Sequence, residues 1–206
     1  MRRLMESIRA ERKYIGIATL IFVVSAVSGY VNAEPLLQSL KQMGVFDRLE
    51  GVVNSIKENP TFLHTLSTLF FNNIIASFSM IGMGLLFGLV PFMSMVSNGM
   101  LLGVTLMTAA KETGANPFVI FVTTILPHGI LELPGAIIAA AFGMRLGAAA
   151  VRRVISLVVP KYMEASVQEW KGIRSRLPVV LAGVAVLIFV AAIIETSLIL
   201  YMKPLG

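Results

Sequence analysis

The stretch that decides the fold is Asn116 to Arg145, NPFVIFVTTILPHGILELPGAIIAAAFGMR. It is apolar over about 30 residues, whereas a helix needs about 20 to cross a bilayer. Pro127, Gly129 and Pro134 fall near its middle. A proline removes a backbone donor and clashes with the preceding helical turn. The stretch therefore predicts a transmembrane helix that is broken near its centre.

Two ionisable residues, His128 and Glu132, lie inside this apolar run. An ionisable side chain inside a membrane is costly, so it usually faces protein or trapped water and has a function. Their spacing of four residues places both on one face of a helix. The prolines beside them leave backbone carbonyls without a donor, which a polar cluster or water would satisfy. These two residues are therefore the first candidates for a functional site.

The composition is that of an integral membrane protein. Of the 206 residues, 56% are hydrophobic and 14% are charged, while about a quarter are charged in soluble domains. The absence of cysteine excludes disulfides and thiolate sites. The net charge of +6 is concentrated in blocks beside apolar segments, which fits the positive-inside rule better than nucleic-acid binding. We therefore predict a single all-α membrane domain over residues 1–206, a polytopic transmembrane helical bundle of about five spans.

Hydrophobic runs and their flanks place these spans. A basic segment at residues 1–13 precedes the first run, and Val31-Asn32-Ala33 resembles a signal-peptide cleavage site. We favour an uncleaved first helix, because the run is long for a signal peptide. Val90-Pro91 ends the second span, and Ser94, Ser97 and Asn98 suggest a polar turn into the third. The predicted spans are 14–31, 68–89, 93–110, 116–145 and 177–202.

Residues 32–67 are slightly acidic and are predicted to form the outside loop. Their apolar residues recur at helical spacing, which predicts two short amphipathic helices on the outer membrane interface. Asn59 is predicted to cap the next helix, with Pro60 at its first position.

Residues 146–176 are predicted to be cytoplasmic, like the N-terminus, because basic residues predominate there. The segments on either side of Pro160 are amphipathic and are predicted to lie on the inner leaflet. Each basic residue near the surface attracts anionic lipid by roughly 1 kcal/mol. Pro178 is predicted in the first turn of the fifth span. The residues predicted to face lipid are Arg152, Arg153, Lys161, Lys171, Arg174 and Arg176.

Polar residues from three spans are predicted to converge in the outer half of the membrane. Asn72 and Asn73 could instead only join helices, and Glu195 could reach the outer interface. Glycine pairs four residues apart let helices approach closely, either within one subunit or at a homodimer seam. The predicted polar cluster is Asn72, Asn73, His128, Glu132 and Glu195, and the glycine pairs are Gly84 and Gly88, Gly99 and Gly103, and Gly143 and Gly147.

The segment from Pro127 to Pro134, PHGILELP, resembles the stage II sporulation protein M family in its H-G-x-x-E-[LI]-P pattern. Phe71-Asn72-Asn73 matches a second recurrent element of that family. The resemblance implies a multi-pass protein of the bacterial, or archaeal, cytoplasmic membrane. Sporulating members help the mother-cell membrane engulf the forespore by anchoring peptidoglycan-degrading partners. It implies no catalytic role for His128, Gly129, Glu132 or Pro134.

Three hypotheses about function follow. The first is a non-enzymatic scaffold that positions cell-envelope, peptidoglycan-remodelling partners, with no cofactor or metal and no nucleic-acid partner. The second is a transporter or channel component that uses His128, Glu132 and Glu195, because many carriers build sites from broken helices with polar groups at mid-membrane. The third, a metal-dependent intramembrane hydrolase, has little support. A catalytic zinc needs three protein ligands, and the chain has one other histidine, His64.

Overall fold

The structure is a computed structural model that describes residues 2–42 and 44–201, with side chains except those of residues 2–5, 45, 48, 49, 125 and 128. These residues are almost entirely helical and include no strand. A π-helical turn, Phe121–Ile125, joins α7 to α8, and a short 3₁₀ turn, Pro160–Tyr162, precedes α9. The α-helices are α1 (Arg2–Ala10), α2 (Arg12–Val31), α3 (Ala33–Gln42), α4 (Val45–Glu58), α5 (Phe62–Met83), α6 (Leu89–Thr113), α7 (Pro117–Ile120), α8 (Leu126–Val158) and α9 (Met163–Tyr201).

Five segments are helical, long and apolar enough to cross a membrane: Arg12–Val31, Phe62–Met83, Leu89–Thr113, Gly129–Val158 and Pro160–Tyr201. This confirms the predicted all-α bundle of about five spans. The two helices predicted in the loop at residues 32–67 are α3 and α4. Met43 in this loop and Met202 at the end of the predicted fifth span lie outside the described residues.

Helix α8 is at the centre of the bundle and packs against α2, α5, α6 and α9. Its middle is a run of small residues, Ala139, Ala140 and Ala141, followed by Phe142, and all four are fully buried or nearly so. Small side chains let neighbouring helices approach a membrane helix closely, so that packing replaces the missing hydrophobic drive.

The predicted glycine pairs lie at helix contacts within this chain. Gly99 and Gly103 of α6 lie against the backbone of Phe22 and Ala26 in α2. The turn after α5 packs on α8 in the same way, with Gly84 against Gly143 and Gly88 against Gly147. The glycines are therefore used for packing within one subunit, and a homodimer stays a prediction.

The predicted fourth span is helical from Pro117 onward, and the chain is not broken at Pro127 or Pro134. The irregularity expected around Pro127 is the π-helical turn at Phe121–Ile125, in which the N–H of Leu126 bonds to the carbonyl of Phe121. A π turn accommodates one extra residue within an α-helix. Since Pro127 has no N–H, a regular hydrogen-bond pattern could not continue through it in any case. Pro134 lies inside α8.

Two predicted helix ends were wrong. Helix α5 ends at Met83 rather than at Val90-Pro91, because Phe87 (φ 55°) and Gly88 (φ 77°) adopt left-handed conformations and form the turn. Pro91 then lies in the first turn of α6, where no backbone donor is needed. Asn59 ends α4 instead of capping α5, which is preceded by Thr61.

The basic segment also differs from the prediction. Helix α8 continues to Val158, and α9 begins at Met163 and runs through Pro178. The segments on either side of Pro160 are therefore the paired ends of two long helices rather than separate helices on the inner leaflet. The two helices pack against each other. Arg145 and Arg152 of α8 also form ion pairs with Glu169 of α9.

Candidate functional site in the helical bundle

A cavity of about 580 Å³ lies among α2, α5, α6 and α8. Met80, Met95 and Phe22 contribute a buried apolar part. The other part is polar, with one carboxyl group, three amides and several hydroxyls. The polar residues that line it are Asn72, Asn73, Ser77, Asn98, Thr105, Thr124 and Glu132.

Helix packing explains why these residues meet. Helices α5 and α8 run in the same direction and touch at Gly84 and Gly143, where Pro91 of α6 also packs. Asn73 and Glu132 each lie 11 residues before those glycines, which is about 16 Å along each helix. The shared contact therefore brings Asn73 and Glu132 to the same level of the bundle.

Glu132 lies in this cavity and is half-buried. Within the part of the chain that the structure describes, neither Glu132 nor Asn98 has a hydrogen-bond partner. The amide of Asn72 donates to Oδ1 of Asn73 over 3.2 Å. Polar groups at membrane depth are usually satisfied by protein or water. The cavity therefore presents polar groups that can bind a further molecule.

A comparison with protein families matched the model of stage II sporulation protein M over residues 18–198. This chain belongs to the stage II sporulation protein M family. The comparison with curated proteins and the comparison with solved structures each gave no match. Family membership supports a sporulation-related membrane protein.

The two sequence elements that resemble the family meet at the cavity. Gly129 and Glu132 come from PHGILELP in α8, and Asn72 and Asn73 follow Phe71 in α5. They are more than 50 residues apart in the sequence but line one site. This convergence makes the cavity the best candidate functional site of this family member.

Three of the five residues in the predicted polar cluster line the cavity: Asn72, Asn73 and Glu132. Glu195 lies on α9, outside the cavity lining. The backbone of His128 is part of α8, and its side chain lies outside the described residues.

Four polar residues that line the cavity were not predicted as site residues: Ser77, Asn98, Thr105 and Thr124. Asn98 was predicted in the first turns of the third span, beside a polar connection on the inside face, and it lies within α6 and lines the cavity. Thr105 follows seven residues later on the same helix, and Thr124 comes from the π turn. The spacing of Asn98 and Thr105 equals two helical turns, which was the available signal for a shared polar face.

A second polar cluster lies at the opposite end of α8 from the π turn. Glu11 is 4% exposed and pairs with Arg176 (Oε1 to Nη1, 2.5 Å) and with Arg145 (Oε2 to Nε, 3.4 Å). Glu169 accepts from Arg145 and from Arg152, whose Nη2 lies 2.6 Å from Oε1 of Glu169. Burial raises the pKa of Glu11, while the charges of the two guanidinium groups oppose that rise. The cluster links the start of α2 to α8 and α9.

This cluster changes the prediction of lipid-facing basic residues. Arg152 and Arg176 form ion pairs within the protein, and Nη1 of Arg153 lies 2.9 Å from Sδ of Met163. Lys161, Lys171 and Arg174 have exposed side chains. Among the described residues, His, Asp and Glu side chains form no group of three that could hold a metal ion.

Proposed function

We propose that this protein is a non-enzymatic membrane scaffold that positions cell-envelope partners, including peptidoglycan-remodelling enzymes during engulfment. The observation that carries this proposal is the pair of amphipathic helices α3 and α4, which together form a platform at the end of the bundle away from the basic cluster. Under the positive-inside rule that end faces outward. A fixed, exposed platform suits recruitment of partners in the envelope.

The platform is held to the bundle at several points. Leu40 of α3 packs with Val104 of α6, and Ile56 of α4 packs with Leu69 of α5. Lys111 pairs with Glu34 over 2.5 Å, and Nε2 of His64 lies 3.1 Å from the hydroxyl of Ser55. These contacts leave the polar face of α4 exposed. Glu50, Asn54 and Lys57 are exposed on that face.

Recovery of partners from native membranes tests this proposal. Charge reversals Glu50→Lys and Lys57→Glu should together lower the recovery of cross-linked envelope proteins about fivefold, since few interface residues carry most binding energy. The matched control is Lys171→Glu at the other end of the bundle, which should leave recovery unchanged. Equal recovery from both variants would contradict the scaffold proposal.

Transport is a second candidate function, favoured by the polar cavity around Glu132. Carriers commonly bind their substrates near mid-membrane beside irregular helices, and here the π turn lies next to the cavity. In proteoliposomes, Glu132→Gln should abolish proton or ion movement, while Ser97→Ala, on an exposed residue outside the cavity lining, should retain it. Absence of movement with the unmodified protein, or equal movement with both variants, would count against transport.

A further inference from the structure

We propose that the cavity binds a membrane lipid whose head group carries an ammonium group. The ammonium group lies against Glu132, and one acyl chain lies along the buried floor of the cavity. The inference goes beyond the positioning of partners. It uses the same cavity as the transport candidate but requires no movement of a solute.

The cavity is open at its side. Helices α5 and α6 both pack on α8 but make few contacts with each other. Asn72 on α5, and Asn98 and Thr105 on α6, are exposed at the two edges of the cavity. Amides and hydroxyls next to hydrocarbon are unfavourable unless they form hydrogen bonds. The hydroxyl of Thr105 already donates to the carbonyl of Leu101, and one N–H of Asn72 donates to Asn73. The amide of Asn98 and the second N–H of Asn72 have no partner among the described residues, and a molecule that enters from the bilayer with its own polar groups would satisfy them.

The polarity of the cavity changes along the bundle in the direction expected for a lipid. Thr105, Thr124 and Glu132 lie toward the end near α3 and α4, while Met80 and Met95 lie toward the turn after α5. These methionines are 5% and 1% exposed, respectively. A lipid of the leaflet beside α3 and α4 has its head group and its chain in this same order. The volume of the cavity, about 580 Å³, is within the range of ~300–1,000 Å³ for sites that hold single small molecules.

Charge complementarity indicates the head group. Glu132 is the one ionisable side chain among the described residues that line the cavity. No described lysine or arginine pairs with it. An ammonium group would pair with the carboxylate form of Glu132 and would bring up to three hydrogen-bond donors. The amide N–H groups of Asn72 and Asn98 can donate to a phosphate on the same lipid.

Lipid binding to the purified full-length protein tests the cavity itself. The probe is a chain-labelled phosphatidylethanolamine, compared with phosphatidylglycerol that has the same chains. Ala76 lines the cavity, whereas its neighbour Ile75 is exposed outside it. Ala76→Trp should fill the cavity and weaken binding of the ethanolamine lipid about tenfold, while Ile75→Trp should bind as the unmodified protein does. Equal binding by the two variants would overturn the proposal.

A second arm tests the head group. Glu132→Gln should lower the preference for ethanolamine over glycerol about fivefold, with the chain still bound. An unchanged preference would overturn the assignment of the ammonium group to Glu132. Thermal unfolding checks that each variant is folded, and Asn72→Leu replaces Ala76→Trp if the tryptophan prevents folding. If the protein binds the lipid but moves no solute, the lipid proposal is supported and the transport function is contradicted.

Discussion

At the scale of single residues, the ion pairs of Glu11 are buried, whereas the ion pair between Glu34 and Lys111 is exposed to solvent. The carboxyl group of Glu11 is buried between Arg145 and Arg176, whereas Glu34 and Lys111 are 73% and 64% exposed. Removing one partner of a buried pair leaves the other charge uncompensated, which costs about 3 kcal/mol. An exposed pair contributes little because water screens it.

We therefore expect Glu11→Gln to lower the free energy of unfolding by about 3 kcal/mol. Glu34→Gln, the matched control, should leave the unfolding temperature unchanged. Thermal unfolding of the two purified variants in the same detergent measures the difference. If both changes had the same effect, the buried cluster would not stabilise the bundle as described.

Polar residues are easiest to single out from a sequence where they interrupt a long apolar run. Glu132, Asn72 and Asn73 stood out for that reason, and all three line the cavity. Asn98 did not stand out, because Ser94 and Ser97 nearby made the segment look like a turn. The pairing of Glu11 with Arg176 depends on side chains 165 positions apart, which a linear pattern cannot show.

At the scale of helices, close contact between α2 and α6 depends on glycine. A methyl group at Gly103 would overlap the backbone of Ala26 and Tyr30, whereas one at Gly16 would meet nothing within 4 Å. Alanine is favoured over glycine in a helix by about 1 kcal/mol. Overpacking costs about 1–3 kcal/mol, and contact with backbone leaves little room for relaxation. The clash should therefore outweigh the helix preference at Gly103.

Gly103→Ala should accordingly destabilise the protein by about 1–2 kcal/mol, and Gly16→Ala should be neutral or slightly stabilising. Unfolding temperatures of the two variants measure this. A stabilising Gly103→Ala would show that α2 and α6 are farther apart than described.

Helix existence was easier to predict than helix ends. The long apolar runs specified the spans, but prolines were given too much weight as helix breakers. Pro134 and Pro178 lie inside α8 and α9 with exposed side chains. Interior prolines are tolerated in membrane helices when neighbouring groups or local adjustments satisfy the freed carbonyls. The left-handed turn at Phe87 and Gly88 had no distinctive sequence signal beyond its glycine.

At the scale of the whole molecule, the ion cluster places both basic segments at one end of the bundle. Glu11, within the first segment, contacts Arg145 directly before the second segment and Arg176 at its end. The positive-inside rule then predicts that this end is cytoplasmic. Helices α3 and α4 and the end of α6 would lie outside.

Single cysteines test this orientation cleanly, because the chain has none of its own. In intact cells, Ser39→Cys and Glu112→Cys should react with a membrane-impermeant thiol reagent. Lys13→Cys and Lys171→Cys should react only after the cells are opened. Labelling of Lys171→Cys in intact cells would contradict the predicted orientation.

The most direct test of the central claim compares two neighbouring positions on α5. Asn72 lines the polar cavity, while Phe71 is 58% exposed on a different face at nearly the same depth. Reaction of a water-soluble thiol reagent should be about tenfold faster with Asn72→Cys than with Phe71→Cys, because only the cavity admits polar molecules. Equal rates at the two positions would contradict a polar cavity inside the membrane-spanning bundle.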